Sequence, residues 1–436
     1  MRPTLACLLL VACGGGGGGG NPDARPTADA GPADAAVSAY CYAQTTTDCG
    51  YSPEEVTPSD YSLADQAALA ARFNPAMVYT GDDVWGVSVR YQLETALPDP
   101  GPPVLMRIDF TTKLNFSYDV MLGTEQAVFG DPQPDLTMLD FRTLPQDDGA
   151  STLYAYYLDG RGTNTGNDLA EETWTDAWRG IQGYADPDTV DPLATTYPPH
   201  QYAHFFWRDK ATHLLAIQYW FYYPYDKFSN AHEGDWEHVN VVLDVTDAGA
   251  PVPAFYHFSW HGKQTGVLAT DAYRVADDGD GDHLVAFIGG DVCTMFNELW
   301  CGDTAGSSWP YPGLWVYGQD ETVAGYAARP GRAIHASDFT IDLLSRPQDM
   351  DFDARPDLSW YQLQVLFGEP ITAVNDPVIM ATNNNHAPVG PGPDHEEFEI
   401  GIEQLRFQLF DDSTPMPFVI PSGWTMINQP PASVFP

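Results

Sequence analysis

The stretch LLAIQYWFYYPYDKFSNAHEGDWEHVNVVLDV, Leu214 to Val245, decides the fold because it holds two strand patterns in one short segment. Its first ten residues are almost all apolar or aromatic, which is typical of a strand buried within a sheet. From His238 to Val245 apolar residues occupy every second position, which predicts a second strand with one side facing the core. A third strand is predicted at Pro253–His261. We expect an antiparallel sheet in which HEGDWE is a loop leading into the second strand.

The composition of the chain favours β structure throughout its 436 residues. Glycine (39 residues) and proline (37 residues) are abundant, which indicates many turns between short strands. We therefore predict a mainly β fold, a β-sandwich with short helices and long loops. One helix is predicted at Ser62–Phe73. Ser62 suits its N-cap, whereas Gln66 lies one position too late to complete a capping box.

The charge balance excludes one class of partner and favours another. Lysine and arginine number 19 against 60 aspartates and glutamates, which gives a net charge of −41. Such a surface repels nucleic acid, so no nucleic-acid partner is expected. The same surface attracts divalent cations.

The N-terminus predicts export and attachment to a membrane. The short apolar run before Cys13 suits a signal peptide, and LVAC resembles a bacterial lipobox whose cysteine becomes lipidated. We predict a lipoprotein signal peptide at 1–13 and a Gly/Ala/Pro-rich tether at 14–58. The β-sandwich domain is predicted at 59–330. Residues 331–436 are predicted to be a C-terminal β-rich extension of that domain or a secondary lobe. Gly14 after the lipobox favours the outer membrane or cell surface.

Four further cysteines fall into two pairs, each with a spacing of eight residues. In an oxidising compartment the simplest pairing is Cys41 with Cys49 and Cys293 with Cys301. A Cys₄ zinc site is the alternative, but the close CxxC spacing typical of such sites is missing.

The segment HEGDWEH begins like a zinc-protease helix, but its spacing rejects that interpretation. The HExxH motif requires a second histidine four residues after the first, and Trp236 occupies that position. Gly234 further weakens a helix here. The segment is better interpreted as a loop that enters a strand.

A metal site follows from the alternation of side chains along that strand. Asp235 and Glu237 share the parity of the core-facing valines, and an antiparallel return brings His261 beside them. Asp226 and His232 reach the same edge through a short loop. Carboxylate oxygens with one or two imidazoles suit Mg²⁺, Ca²⁺ or Mn²⁺. The alternative is a solvated strand end with Trp236 packed beneath it.

The segment AIQYWFYYPYDKFSNAHEGDWEHVNVVLD resembles two families. The vacuolar protein sorting-associated protein 62 family has a similar aromatic strand and a HEGDWEHV-like core, and that resemblance extends over about residues 63–313. The second family is the necrosis- and ethylene-inducing peptide 1-like proteins (NLPs), secreted cytolysins with a GHRHDWE heptapeptide. The NLP resemblance is confined to about residues 215–262.

The NLP resemblance implies a β-sandwich that binds a divalent cation. Matched residue by residue, it implies the ligands Asp226, His232, Asp235 and Glu237, with a later histidine matching His261 in WHG. The replacement of GHRH by AHEG departs from the family and weighs against cytolytic activity. The first family implies a fold and a site but no reaction.

Three functions are compatible with these expectations. The first is a surface-anchored lipoprotein whose divalent-cation site binds or acts on lipid head groups or glycans. The alternative is an extracellular metal-dependent hydrolase, and a second alternative is a structural envelope lipoprotein without a ligand. The sequence leaves catalysis, the cation, the ligand and the oligomeric state open.

Overall fold

The structure is a computed structural model, and it is mainly β as the sequence predicted. It describes the residues 53–79, 85–93, 104–113, 121–129, 134–144, 154–159, 197–226, 232–247, 249–260, 263–276, 281–290, 306–317, 321–325, 333–363, 367, 390–392, 398–399, 414–415, 418, 420–421 and 423–432. At several strand positions, Asp226, His232 and Glu233 among them, the description covers the backbone alone. The described residues lie in one compact unit, Ala43–Pro436.

The described residues form nineteen strands and several short helices. The strands are β1 Glu54–Glu55, β2 Ala76–Tyr79, β3 Val104–Lys113, β4 Met121–Ala127, β5 Tyr154–Asp159, β6 His200–Asp209, β7 Leu214–Asp226, β8 His232–Asp244, β9 Val252–Trp260, β10 Lys263–Leu268, β11 Arg274–Ala276, β12 His283–Gly290, β13 Gly306–Trp309, β14 Gly313–Tyr317, β15 Glu321–Gly325, β16 Ala333–Ile334, β17 Thr340–Leu344, β18 Thr414–Pro415 and β19 Thr425–Asn428. The α-helices are α1 Leu63–Phe73 and α2 Arg90–Leu93. Short 3₁₀ helices span Leu136–Met138, Phe141–Thr143, Ala336–Asp338, Pro347–Asp349 and Pro356–Leu363.

The largest sheet has seven strands and carries the candidate site. Its order is β1-β6-β7-β8-β9-β10, with β17 pairing in parallel with β6. The pairs from β6 to β10 are antiparallel neighbours along the chain. The run Tyr219–Tyr223 on β7 is wholly buried, although it alternates between the two faces. The sheet is therefore covered on both faces at its centre, which explains the continuous apolar pattern of β7.

A second sheet of six strands contributes to the same hydrophobic core. Its order is β16-β2-β12-β11-β19, with β13 pairing with β12. Apolar residues of both sheets belong to one buried cluster. Helix α1 lies against that cluster, and the hydroxyl of Tyr219 donates a hydrogen bond to the carbonyl of Ala70 at 2.9 Å. Two three-stranded sheets, β15-β14-β18 and β4-β3-β5, complete the described part.

Both ends of the described chain join these sheets. Glu54 and Glu55 pair with β6, and Val56 is buried. The last residues of the range 14–58, which the sequence predicted as a tether, are therefore part of the fold. After residue 330, β16 pairs with β2 and β17 pairs with β6.

The strand predictions differ from the structure at one boundary that matters for the site. The first and third strands were predicted correctly to within three residues at each end. The second strand, β8, begins at His232 and not at His238. The interpretation of HEGDWE as a loop was therefore wrong: six residues that contain glycine and three acidic side chains still form a paired strand.

Several predicted features lie outside the described residues. They are the signal peptide with Cys13, most of the tether, and all four cysteines of the predicted bridges, Cys41, Cys49, Cys293 and Cys301. Those predictions stay predictions. Within the described part of the chain, no helix is long and apolar enough to cross a membrane.

Helix α1 begins with a capping box that the sequence reasoning missed. Ser62 Oγ accepts the amide of Asp65 at 3.2 Å, and a carboxylate oxygen of Asp65 accepts the amide of Ser62 at 3.2 Å. The acidic partner is Asp65 at the third helical position, where the motif more often has Glu or Gln. Two amides of the first turn are thereby satisfied.

Replacing Ser62 with alanine should lower the free energy of unfolding by about 1 kcal/mol, because the helix loses its N-cap acceptor. Urea denaturation followed by circular dichroism measures the loss. Ser62→Asn is the matched control, since asparagine caps about as well as serine. Equal losses for the alanine and asparagine variants would contradict a capping role.

Candidate functional site

The hairpin β7–β8 brings four of the five predicted ligands to one end of the large sheet. Its register pairs Asp226 with His232, Tyr223 with Asp235, and Phe221 with Glu237. Asp226 and His232 are thus direct cross-strand neighbours, whose Cα atoms are typically about 5 Å apart. These positions lie at the end of the hairpin where β7 ends and β8 begins.

Gly234 makes this strand end possible. Its backbone is left-handed, with φ of +58°, a region that side chains other than glycine rarely adopt. A Cβ atom at this position would collide with the carbonyl oxygen of Phe367 and lie 2.7 Å from its Cβ atom. The glycine is therefore required twice, once for its conformation and once for the close approach of residue 367.

Trp236 is the centre of an aromatic cluster on one face of the hairpin. Its ring lies 5.0 Å from the ring of Tyr222, 5.3 Å from Phe367, 5.6 Å from Tyr202 and 5.9 Å from Trp360, measured between centroids. Such offset and edge-to-face pairs stabilise a core beyond their buried area. This cluster, and not a solvated loop, holds the strand that carries the acidic residues.

Asp235 and Glu237 alternate with Trp236 and so belong to the opposite face. They share that face with Val239, Val241 and Leu243, all fully buried. Glu237 is 9% exposed and Asp235 is half-buried. A carboxylate oxygen of Asp235 accepts the backbone amide of Trp236 at 2.8 Å. Two carboxylates therefore sit where an apolar face meets solvent, a costly position unless they bind a cation or a hydrogen-bond donor.

His238 lies on the aromatic face, away from the two carboxylates. It is fully buried, with its ring 4.6 Å from that of Trp220 and its Nδ1 atom 3.2 Å from Oδ1 of Asn240. The side chain of Glu233 is outside the described residues.

A polar row crosses the sheet beside His238 on the same face. His204, Gln218, Asn240 and His257 are direct cross-strand neighbours on β6, β7, β8 and β9. All four are buried, and Nδ2 of Asn240 lies 3.5 Å from Nδ1 of His257. The sequence reasoning missed this row, because each residue sits alone within an apolar strand pattern. Only the register aligns them.

The register of β8 with β9 indicates which residue lies opposite Glu237. Val239 pairs with Phe258 and Asn240 with His257. Extended by two residues, this register sets Glu237 opposite Trp260, the residue before His261. The sequence had predicted His261 for a place beside Asp235 and Glu237. His261 itself falls outside the described residues.

The structure thus describes part of the predicted site. The carboxylates of Asp235 and Glu237 are placed on one face, and the backbones of Asp226 and His232 are paired beside them. Regular alternation does not extend from Asp235 to His232, because left-handed Gly234 lies between them. Among the side chains that the structure describes, no group of three or more His, Cys, Asp or Glu is arranged to hold a metal ion.

The donor chemistry of the described pair still fits a hard cation. Carboxylate oxygens are the ligands preferred by Mg²⁺, Ca²⁺ and Mn²⁺. Because Asp235 is partly exposed, a cation held by this pair would retain some of its water. A closed structural zinc site needs four nitrogen or sulfur-rich ligands, which the pair does not supply.

Comparisons with known proteins reveal only a weak structural likeness. No protein-family model and no curated protein matches the chain. Among solved structures, "Crystal structure of non-toxic HaNLP3 protein" is 11% identical, covers 77% of this chain and 94% of its own, and gives a TM-score of 0.27. "Toxin fold as basis for microbial attack and plant defense" is 13% identical, covers 72% and 88%, and gives 0.26. "NLPPya in complex with mannosamine" is 16% identical, covers 36% and 56%, and gives 0.19.

These likenesses are to proteins of the NLP toxin fold, in line with one of the two resemblances noted in the sequence. At such TM-scores no property of those proteins transfers to this chain. The resemblance to the vacuolar protein sorting-associated protein 62 family finds no support in the comparisons.

Gly234→Ala should destabilise the protein by more than about 3 kcal/mol, because left-handed strain of about 1–2 kcal/mol adds to the collision with Phe367. Chemical denaturation measures the change. Gly423→Ala is the matched control: its φ is +96°, but nothing lies within 4 Å of the added Cβ atom. The control should show the strain alone, and equal losses for both variants would refute the close approach of Phe367.

Proposed function

We propose that this protein is a surface-anchored lipoprotein with a divalent-cation site, through which it binds lipid head groups or glycans. The observation that carries the proposal is the pair Asp235 and Glu237 on one face of β8, beside the paired backbones of Asp226 and His232. Both acidic residues occupy a strand that is rigidly held by the Trp236 cluster. A fixed pair of carboxylates is suited to bind a cation with little loss of conformational entropy.

The cation in this proposal is Mg²⁺, Ca²⁺ or Mn²⁺. Its ligands would be Asp226, His232, Asp235, Glu237 and His261, an oxygen-rich set with one or two imidazoles. The net charge of −41 favours such a cation, since the whole surface raises the local concentration of positive ions.

The ligand class follows from the charge of the protein. An acidic surface repels anionic head groups directly, so a lipid phosphate is bound more readily through a cation that both partners coordinate. Sugar hydroxyl groups coordinate Ca²⁺ in the same manner. The predicted lipid at Cys13 would hold the domain near such ligands and raise their effective concentration.

The finer family assignment belongs to the same proposal. We infer a bacterial lipoprotein similar to the vacuolar protein sorting-associated protein 62 family on the basis of its HEGDWEHV segment. Local resemblance in this segment supports the assignment, together with the strand that the segment forms.

The binding function is tested with the purified protein on vesicles and glycan arrays. Binding should require added Ca²⁺, Mg²⁺ or Mn²⁺ and be abolished by a chelator. Vesicles of neutral phosphatidylcholine, vesicles with anionic phosphatidylserine, and the glycan array separate the two ligand classes. Retained binding in the presence of chelator would refute a cation-bridged mechanism, and absence of binding to every probe would favour a structural envelope lipoprotein.

The cation site has its own test in Asp235→Asn and Glu237→Gln. Each variant keeps the shape of the side chain but removes one negative charge, so the affinity for the cation should fall at least about 10-fold. Isothermal titration calorimetry measures the affinity. Asp244→Asn is the matched control, because Asp244 lies on the same strand roughly 30 Å from Asp235. Unchanged affinity in both site variants would sink the proposed site.

A further inference from the structure

A second charged cluster lies on the aromatic face of the sheet and joins two distant parts of the chain. Glu399 hydrogen-bonds with His204, whose Nε2 atom lies 3.0 Å from Oε1, and with Arg346, whose Nε and Nη2 atoms lie 2.8 and 2.5 Å from its two oxygens. The backbone amide of Glu399 donates to Oε1 of Gln218 at 3.2 Å. We call His204, Arg346 and Gln218 the carboxylate clamp.

The ring of His204 lies between two oxygen atoms. Nδ1 of His204 lies 2.9 Å from the carbonyl oxygen of Leu344, and Nε2 faces the carboxylate of Glu399. The guanidinium of Arg346 brings a positive charge to the same carboxylate. Charge-assisted bonds of this kind are the strongest side-chain hydrogen bonds.

The bound carboxylate is well shielded from water. The side chain of His204 is 1% exposed and that of Glu399 is 8% exposed, whereas Arg346 at 25% closes the outer side. The ring of Phe398 lies 4.5 Å from the ring of His204 and covers it. Phe398 and Glu399 therefore contact the clamp as a two-residue ligand would, with one ring and one carboxylate.

The backbone of Glu399 shows that this contact is held at a conformational cost. Its φ is +54°, in the left-handed region that disfavours residues with a Cβ atom. Within the described residues only one other non-glycine residue, His213, has such a φ. The strain persists because the ion pairs of Glu399 and the hydrogen bond from its backbone amide to Gln218 outweigh it.

We propose that the carboxylate clamp is a carboxylate-binding site whose resident ligand is Glu399, so that Phe398–Glu399 forms a releasable latch on the sheet. The clamp is built from β6, β7 and the residue two positions after β17. A small free carboxylate fits the same donors once the side chain of Glu399 is removed.

The latch should open at acid pH. Burial raises the pKa of Glu399, but hydrogen bonds from His204 and Arg346 outweigh burial and hold that pKa at about 2. Because the folded pKa lies below the ordinary value of 4.5, the stabilisation is complete above about pH 4.5 and is lost as pH falls towards 2. The charged and titratable groups facing Glu399 are His204, Arg346, Tyr361 and Glu55.

Glu399→Gly in the full chain tests the latch by chemical rescue. Glycine accepts the left-handed backbone, so the variant removes the carboxylate without adding strain. The unfolding equilibrium constant should rise by a factor on the order of 100, which corresponds to the lowered pKa of the carboxyl group. Sodium formate or acetate should restore the thermal midpoint in a saturable manner, and equal concentrations of sodium chloride should not.

Two variants serve as controls for the rescue. Glu399→Gly combined with Arg346→Gln should lose the response to formate, because the clamp has lost one cation. His213→Gly removes a left-handed side chain elsewhere and should show no response. No formate response beyond that of chloride in Glu399→Gly, or an undiminished response in the double variant, would overturn the proposal.

Release is distinguished from simple loss of an ion pair by hydrogen exchange at the amide of residue 399. In Glu399→Gly this amide should exchange faster than in the wild type, and formate should slow it. If Glu399→Gly does not fold, Glu399→Gln replaces it, since the amide keeps the shape but not the charge. The stability of the wild type should then fall more steeply between pH 4.5 and 2 than that of Glu399→Gln, and parallel pH profiles would refute the latch.

Discussion

One cross-strand register, between Leu214–Asp226 and His232–Asp244, governs which chemistry each face of the sheet receives. Side chains alternate along a strand, so a slip of one residue would exchange Asp235 and Glu237 with Trp236 and His238. The aromatic cluster would then contain carboxylates, and the opposite face would hold Trp236 and His238 in their place. This register places Gly234 beneath Phe367, where only glycine fits.

Much of this arrangement could be predicted from local sequence patterns. Alternation from His238 to Val245 gave the correct face for Asp235 and Glu237, and the hairpin length gave the partner of Glu237 to within a residue. The early start of β8 was not predicted from its alternation, because left-handed Gly234 interrupts the alternation beyond Asp235. The clamp was missed because Glu399 lies 195 residues from His204, and no local pattern links them.

The two faces of the sheet treat charge in opposite ways. On one face Asp235 and Glu237 lie at the end of a row of buried apolar side chains. On the other face a single carboxylate is enclosed by a histidine and an arginine. Basic side chains are scarce in this chain, which has 19 lysines and arginines against 60 acidic residues. Arg346 is committed to the carboxylate of Glu399, which is 8% exposed.

The buried row His204, Gln218, Asn240 and His257 has a consequence for how the chain folds. Burying a polar side chain in an apolar layer is costly unless it has a hydrogen-bond partner there. The four strands must therefore be aligned when water is excluded from that layer. If one strand were shifted by two residues, its side chains would keep their alternation between the faces. One polar side chain of the row would then lie among apolar side chains without its hydrogen-bonding neighbour. The row therefore makes the native register of β6 to β9 more stable than registers shifted by two residues.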